Sequence, residues 1–152
     1  MPSLRTLLLG RKRDGDYPDP RLVVPPLCFG LVFAAYALGV FAVTGGVVFL
    51  AADAATVGVL TAAALAFRRG GLLASWGAVY AALLGQSADH YLLGLSGRSL
   101  AERLAAFLGP DGLVFLGVQA LVLGTLAWGS GRLIDLAVDR LRGESGTPSR
   151  SQ

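Results

Sequence analysis

Four side chains combine chemistry-bearing types with useful spacing in a chain that is otherwise apolar. Asp53 is the single charge between Leu22 and Phe67. Gln86, Asp89 and His90 follow at separations of three and four residues, which puts them on one side of a helix. His90 is the only histidine, and imidazole is the side chain that titrates near neutral pH. A charge at membrane depth is costly, so such residues mark proton or ion sites by default. An Asp53–His90 pair would form a proton-sensitive or cation-binding spot. The same residues also suit a cluster that caps a helix end at a membrane surface, solvated by headgroups. One histidine with scattered carboxylates is a thin ligand set for a metal, and none is expected. Gln119 stands inside another apolar run, where its amide needs a partner on a neighbouring helix.

No catalytic motif accompanies these residues. There is no phosphate-binding glycine loop, no zinc helix of the His-Glu-x-x-His type and no nucleophile elbow. Cys28 is the only cysteine, which excludes an internal disulfide and a cysteine metal site; it reads as a small apolar residue. No nucleophile and base converge, so no enzyme and no cofactor are expected.

The elements that must position these residues follow from composition. Of 152 residues, 54% are hydrophobic and only 15% charged, with a mean hydropathy of +0.62. A soluble domain carries about 25% charged residues. These figures exclude a soluble enzyme domain, a disordered tail and a disulfide scaffold, and imply an all-α integral membrane protein. Twelve arginines against one lysine, a single isoleucine and no asparagine suit a GC-rich prokaryotic genome.

Residues 1–21 form a basic tail in which Leu7-Leu8-Leu9 is too short for a signal-peptide core, so no cleaved signal is expected. A helix crossing a bilayer needs about 20 residues, so the long apolar run 22–67 is right for two spans. The first is expected to start at Pro25-Pro26, because proline's missing N–H costs little at a helix start. A turn at Thr44-Gly45-Gly46 gives spans near 25–43 and 47–67 and buries Asp53 two turns below the surface. The rival turn at Ala51-Ala52-Asp53 leaves about 21 Å of helix and a solvated Asp53, so spanning length favours the glycine turn.

Arg68-Arg69-Gly70-Gly71 separates the second span from a third near 72–88. A connector over 89–111 follows. It holds a short helix marked by Ser99 and Glu102, a capping-box spacing, and stopped by Gly109-Pro110; it should lie along the membrane surface. The fourth span is expected over 112–130, capped by Asp111 and anchored by Trp128. An amphipathic helix and a disordered tail complete 132–152.

Cytoplasmic loops collect the Lys and Arg excess. Of the thirteen cations, all but Arg98 and Arg103 lie in the two tails or the 68–69 turn. Four spans with both termini cytoplasmic therefore place the 89–111 connector outside. The sequence pI of about 9.5 is an orientation signal and not a nucleic-acid signal. Small residues recur at helical spacing in Ala74, Ala78 and Ala82, in Gly77, Ala81 and Gly85, and in the pairs Ala120–Gly124 and Ala127–Gly131. They follow from a high Ala and Gly content as readily as from true contact faces, which could serve the bundle or an oligomer.

These readings imply a non-enzymatic accessory or structural component of the cell membrane. Its partners would be the lipid bilayer and a second copy or another membrane subunit. The alternative is a small oligomeric transporter or channel with a polar site near the outer face.

Overall fold

The computed structural model describes residues 4–9, 19–41 and 51–144, and every element among them is helical. These are α1 (Leu4–Leu9), α2 (Pro20–Ala37), α3 (Ala52–Phe67), α4 (Leu72–Asp89), α5 (Leu100–Phe107) and α6 (Pro110–Glu144). A π-type turn, His90–Gly94, continues α4. One helix, over Pro110–Arg142, is long and apolar enough to cross a membrane; Leu22–Ala37 and Ala52–Phe67 are apolar but shorter.

α4 is central and packs against α2, α3 and α6, while α3 also packs against α6. The contacts are made by small side chains. Ala54, Ala62, Ala66, Ala78 and Ala82 are fully buried, and Ala74, Ala120 and Ala127 are nearly so. The small-residue ridges of α4 and α6 therefore line the interior of the bundle. A Cβ at Gly85 would stand 2.7 Å from the Phe29 carbonyl oxygen, and one at Gly58 would stand 2.9 Å from the Val79 Cα. Ser75, fully buried, donates to the Ala62 carbonyl at 3.3 Å. Large apolar side chains point the other way: Leu60, Val114 and Leu126 are about two-thirds exposed.

Helix boundaries depart from the sequence expectation in several places. α2 begins at Pro20, so Pro25 and Pro26 lie inside it. Proline's fixed φ suits a first helical position, and the Asp19 carbonyl accepts from the Leu22 and Val23 N–H groups at 2.9 and 3.3 Å. α2 ends at Ala37 and not at 43. Gly39, at φ +71°, closes it: its N–H donates to Tyr36 and the Val40 N–H to Ala35. This paired closure uses the left-handed conformation that glycine adopts without penalty. α3 starts at Ala52, after an extended Ala51. Asp53 thus sits in the first turn, where a carboxylate suits the positive end of the helix. The expected turn at Gly45-Gly46 lies outside the described residues, as does most of the C-terminal tail expected to be disordered. Asp111 lies within the first turn of α6 instead of capping it. The fourth span and the amphipathic segment are one helix of 35 residues, about 52 Å long.

The α3–α4 turn docks onto the second half of α6. Arg69, at φ +62°, pairs with Asp135 at 3.5 Å and Asp139 at 3.1 Å. The Trp128 indole N–H donates to the Gly70 carbonyl at 3.4 Å, and the Arg132 guanidinium lies 5.8 Å from the Trp128 ring centre. The left-handed backbone costs Arg69 about 1–2 kcal/mol, a strain its two carboxylate partners help to offset.

Candidate functional site

The chemistry-bearing residues gather at the opposite end of the bundle from Arg69. The end of α4, the π-type turn, α5 and the start of α6 enclose an open cavity of about 380 Å³. Gln86, Ser87, His90 and Tyr91 line it from the α4 side, and Gln119 from α6. Leu83, Phe107, Phe115 and Leu116 supply apolar wall, and Ala51, just before α3, completes one edge. Three of the sequence-derived site residues, Gln86, His90 and Gln119, therefore share one cavity.

Asp53 and Asp89 do not line it. Asp53 is exposed and Asp89 half-buried. Both lie within electrostatic reach of the Tyr36 phenol, which is also within hydrogen-bonding reach of the Ala54 backbone. Tyr36 is buried in the last turn of α2, and its ring meets Phe41 edge-on at 5.3 Å. No ion pair joins Asp53 or Asp89 to His90; the His90 ring instead packs edge-on against Tyr91 at 5.1 Å. Among the described residues, no three metal-ligating side chains come together.

Sequence reasoning missed Tyr36. The signal was Gly39: read as a helix stop, it places Tyr36 in the last turn of α2, level with Asp53 and Asp89. The π-type turn was also missed. Such turns occur mostly as single insertions in α-helices, often at functional sites. This one begins at His90.

α5 is tied to the π-type turn through Arg103 and capped at its start by Ser99. The Arg103 guanidinium donates to the Leu92 carbonyl within the π-type turn and to the Arg98 carbonyl, each at 3.0 Å. Ser99 caps α5 as its spacing predicts. The Ser99 backbone N–H and hydroxyl each donate to the Glu102 carboxylate at 2.9 Å, and the Glu102 N–H returns to the Ser99 hydroxyl at 3.4 Å. The Ser99 backbone donor, with help from its hydroxyl, holds the Glu102 carboxyl below the usual glutamate range. Glu102 thus binds its proton less readily in the folded state than in the unfolded one. Its contribution to α5 is present above the ordinary glutamate pKa, about 4.3, and is lost as pH falls through the depressed value. Hydrogen exchange at the Glu102 amide, corrected for the intrinsic rate, should stay constant from neutral pH to that point and rise below it. In Glu102→Gln, which has no titrating carboxyl, this step should vanish; a step that persists would exclude Glu102 as its cause.

Comparison with protein-family models, with curated proteins and with solved structures finds no match.

Proposed function

We propose that the chain is a non-enzymatic, multi-pass component of the cell membrane, crossing it with α2, α3, α4 and α6. The observation that carries this reading is the inverted packing: alanine supplies most of the buried side chains, with Val32, Val79 and Leu83 among the few large ones, while many leucines and valines face outward. Water would drive the opposite arrangement. Lipid does not distinguish a large apolar side chain inside from one outside, so close backbone approach decides what is buried. Hydroxyl groups support the same reading. Thr56, Thr61, Thr125 and Ser130 each donate to the carbonyl four residues back, which satisfies them without water. α2 and α3 are short for a bilayer core of about 30 Å; local thinning of the bilayer accommodates such spans at modest cost. The exposed apolar face of α6 is available to lipid, to a second copy or to another membrane subunit.

Both termini and the Arg68–Arg69 turn are cytoplasmic in this reading, and the cavity opens toward the outside. With Cys28 replaced by alanine, a cysteine at Ser96 should react with an impermeant maleimide from outside. One at Ser145 should react only after the cells are opened. Alkaline carbonate should leave the protein in the membrane. The reverse labelling pattern, or release into the soluble fraction, would overturn the reading.

The cavity favours a second reading, a small oligomeric transporter or channel. It requires flux in proteoliposomes that falls in Gln86→Leu and His90→Ala, two residues of the cavity lining. Absence of flux with the unaltered chain would remove it.

A further inference from the structure

We propose that the cavity between α4, α5 and α6 is a binding site for a neutral, lipid-soluble amphiphile with a hydrogen-bonding ring as its head, the chemistry of a quinone.

The first argument is charge. Among the described residues, no Asp, Glu, Lys or Arg lines the cavity. A charged head group would leave water and meet no fixed counter-charge, at a cost of several kcal/mol. Asp53 and Asp89 lie outside the lining, within electrostatic reach of Tyr36. A neutral head group meets no such penalty, because Gln86 both donates and accepts and His90 carries a ring donor.

The second argument is the distribution of the walls. Phe107 and Phe115 both stand in the lining, and aromatic side chains are the partners that a flat ring stacks on. Phe115 is also half-exposed on the outside of α6, next to the exposed Val114 and Val118. A tail leaving the cavity past Phe115 would follow that apolar surface. The volume, about 380 Å³, lies in the lower part of the range for small-molecule sites. It suits one small head group and not a whole phospholipid.

The third argument is the local backbone. The π-type turn starts at His90, and the two consecutive residues His90 and Tyr91 both line the cavity. Arg103 ties α5 to that turn through the Leu92 carbonyl, which keeps Phe107 at the rim.

The proposal draws on the membrane reading only for the source of the ligand. Carbonate extraction tests that reading separately, so the two can fail independently. The test is equilibrium binding of decylubiquinone to the full chain in phosphatidylcholine nanodiscs, with empty nanodiscs subtracted. The unaltered chain should bind one equivalent saturably. Gln86→Leu keeps the side-chain size and should weaken binding about tenfold, the equivalent of one lost hydrogen bond near the upper end of the usual range. Leu116→Trp fills the cavity and should abolish binding. Circular dichroism should show unchanged helix in both variants; if Leu116→Trp loses helix, Gln86→Leu decides alone. Lack of saturable binding by the unaltered chain would overturn the proposal, as would equal affinity in Gln86→Leu. So would equal or tighter binding of decyltrimethylammonium, a charged amphiphile with the same tail.

Discussion

Gly131→Ala is expected to lower the stability of the bundle by about 2–3 kcal/mol, the upper part of the range for overpacking. Gly131 lets α6 approach α3 closely. A methyl group there would collide with the Ala63 carbonyl oxygen and stand 2.8 Å from the Ala66 Cβ. Neither obstacle is the far end of a flexible side chain, so the helices themselves must separate. The nearby Arg69–Asp135, Arg69–Asp139 and Trp128–Gly70 contacts join the same surfaces and would loosen together. Gly129 is the internal control. It lies two residues away in the same helix, and a Cβ there meets nothing within 4 Å. Gly129→Ala should be neutral or stabilising by up to about 1 kcal/mol, since alanine is the better helix former. Denaturant titration of the purified protein in detergent, followed by circular dichroism, compares the two. Equal midpoints for Gly131→Ala and Gly129→Ala would show that α3 and α6 do not depend on this approach.

Leu83→Ala is expected to cost about 2–3 kcal/mol, the lower part of the range for a buried leucine. Leu83 is the largest fully buried side chain among the described residues, at 1% exposure, and it also forms part of the cavity wall. In water, its removal would forfeit both transfer free energy and packing. In a membrane the unfolded helices also lie in an apolar solvent, so the transfer contribution shrinks. The dispersion attraction between Leu83 and its neighbours is still forfeited, because a void has no atoms to replace it. The same titration reads the stability. The enlarged cavity should also be visible as weaker protection of the α4 amides near Leu83 in hydrogen exchange. A change below about 0.5 kcal/mol would mean that the bundle collapses around the gap, or that Leu83 is not enclosed as described.

The sequence was most legible where a local signal and its structural consequence are close together. Ser99 and Glu102 form their capping box because three residues of helix suffice to bring them together. Gly71 precedes α4, and Gly109 lies between α5 and α6, which Pro110 opens. The small-residue ridges were visible as spacings, but not which surface they served; only the placement of α4 between three helices assigns them to the interior. Helix ends were harder where two signals competed. Gly39 and Gly45-Gly46 are both stop signals, and Gly39 closes α2 because its N–H and that of Val40 find the last carbonyls of the helix. Proline at 25 and 26 suggested a start that Pro20 had already taken.

The candidate site divides along the same line. Gln86 and His90 lie four residues apart on one helix, so helical geometry alone brings them together. Whether they meet Gln119, and whether Asp53 meets His90, depends on how α3 and α6 pack against α4. Packing brought Gln119 to the cavity and left Asp53 and Asp89 beside Tyr36. By itself the sequence determined composition, helical class and the residues available for chemistry, because these follow from side-chain type and local spacing. The tertiary structure alone decided which of those residues share a cavity. That choice is made by close approach at Gly58, Gly85, Gly124 and Gly131, where the absence of a side chain lets backbones meet and sets the distances between helices.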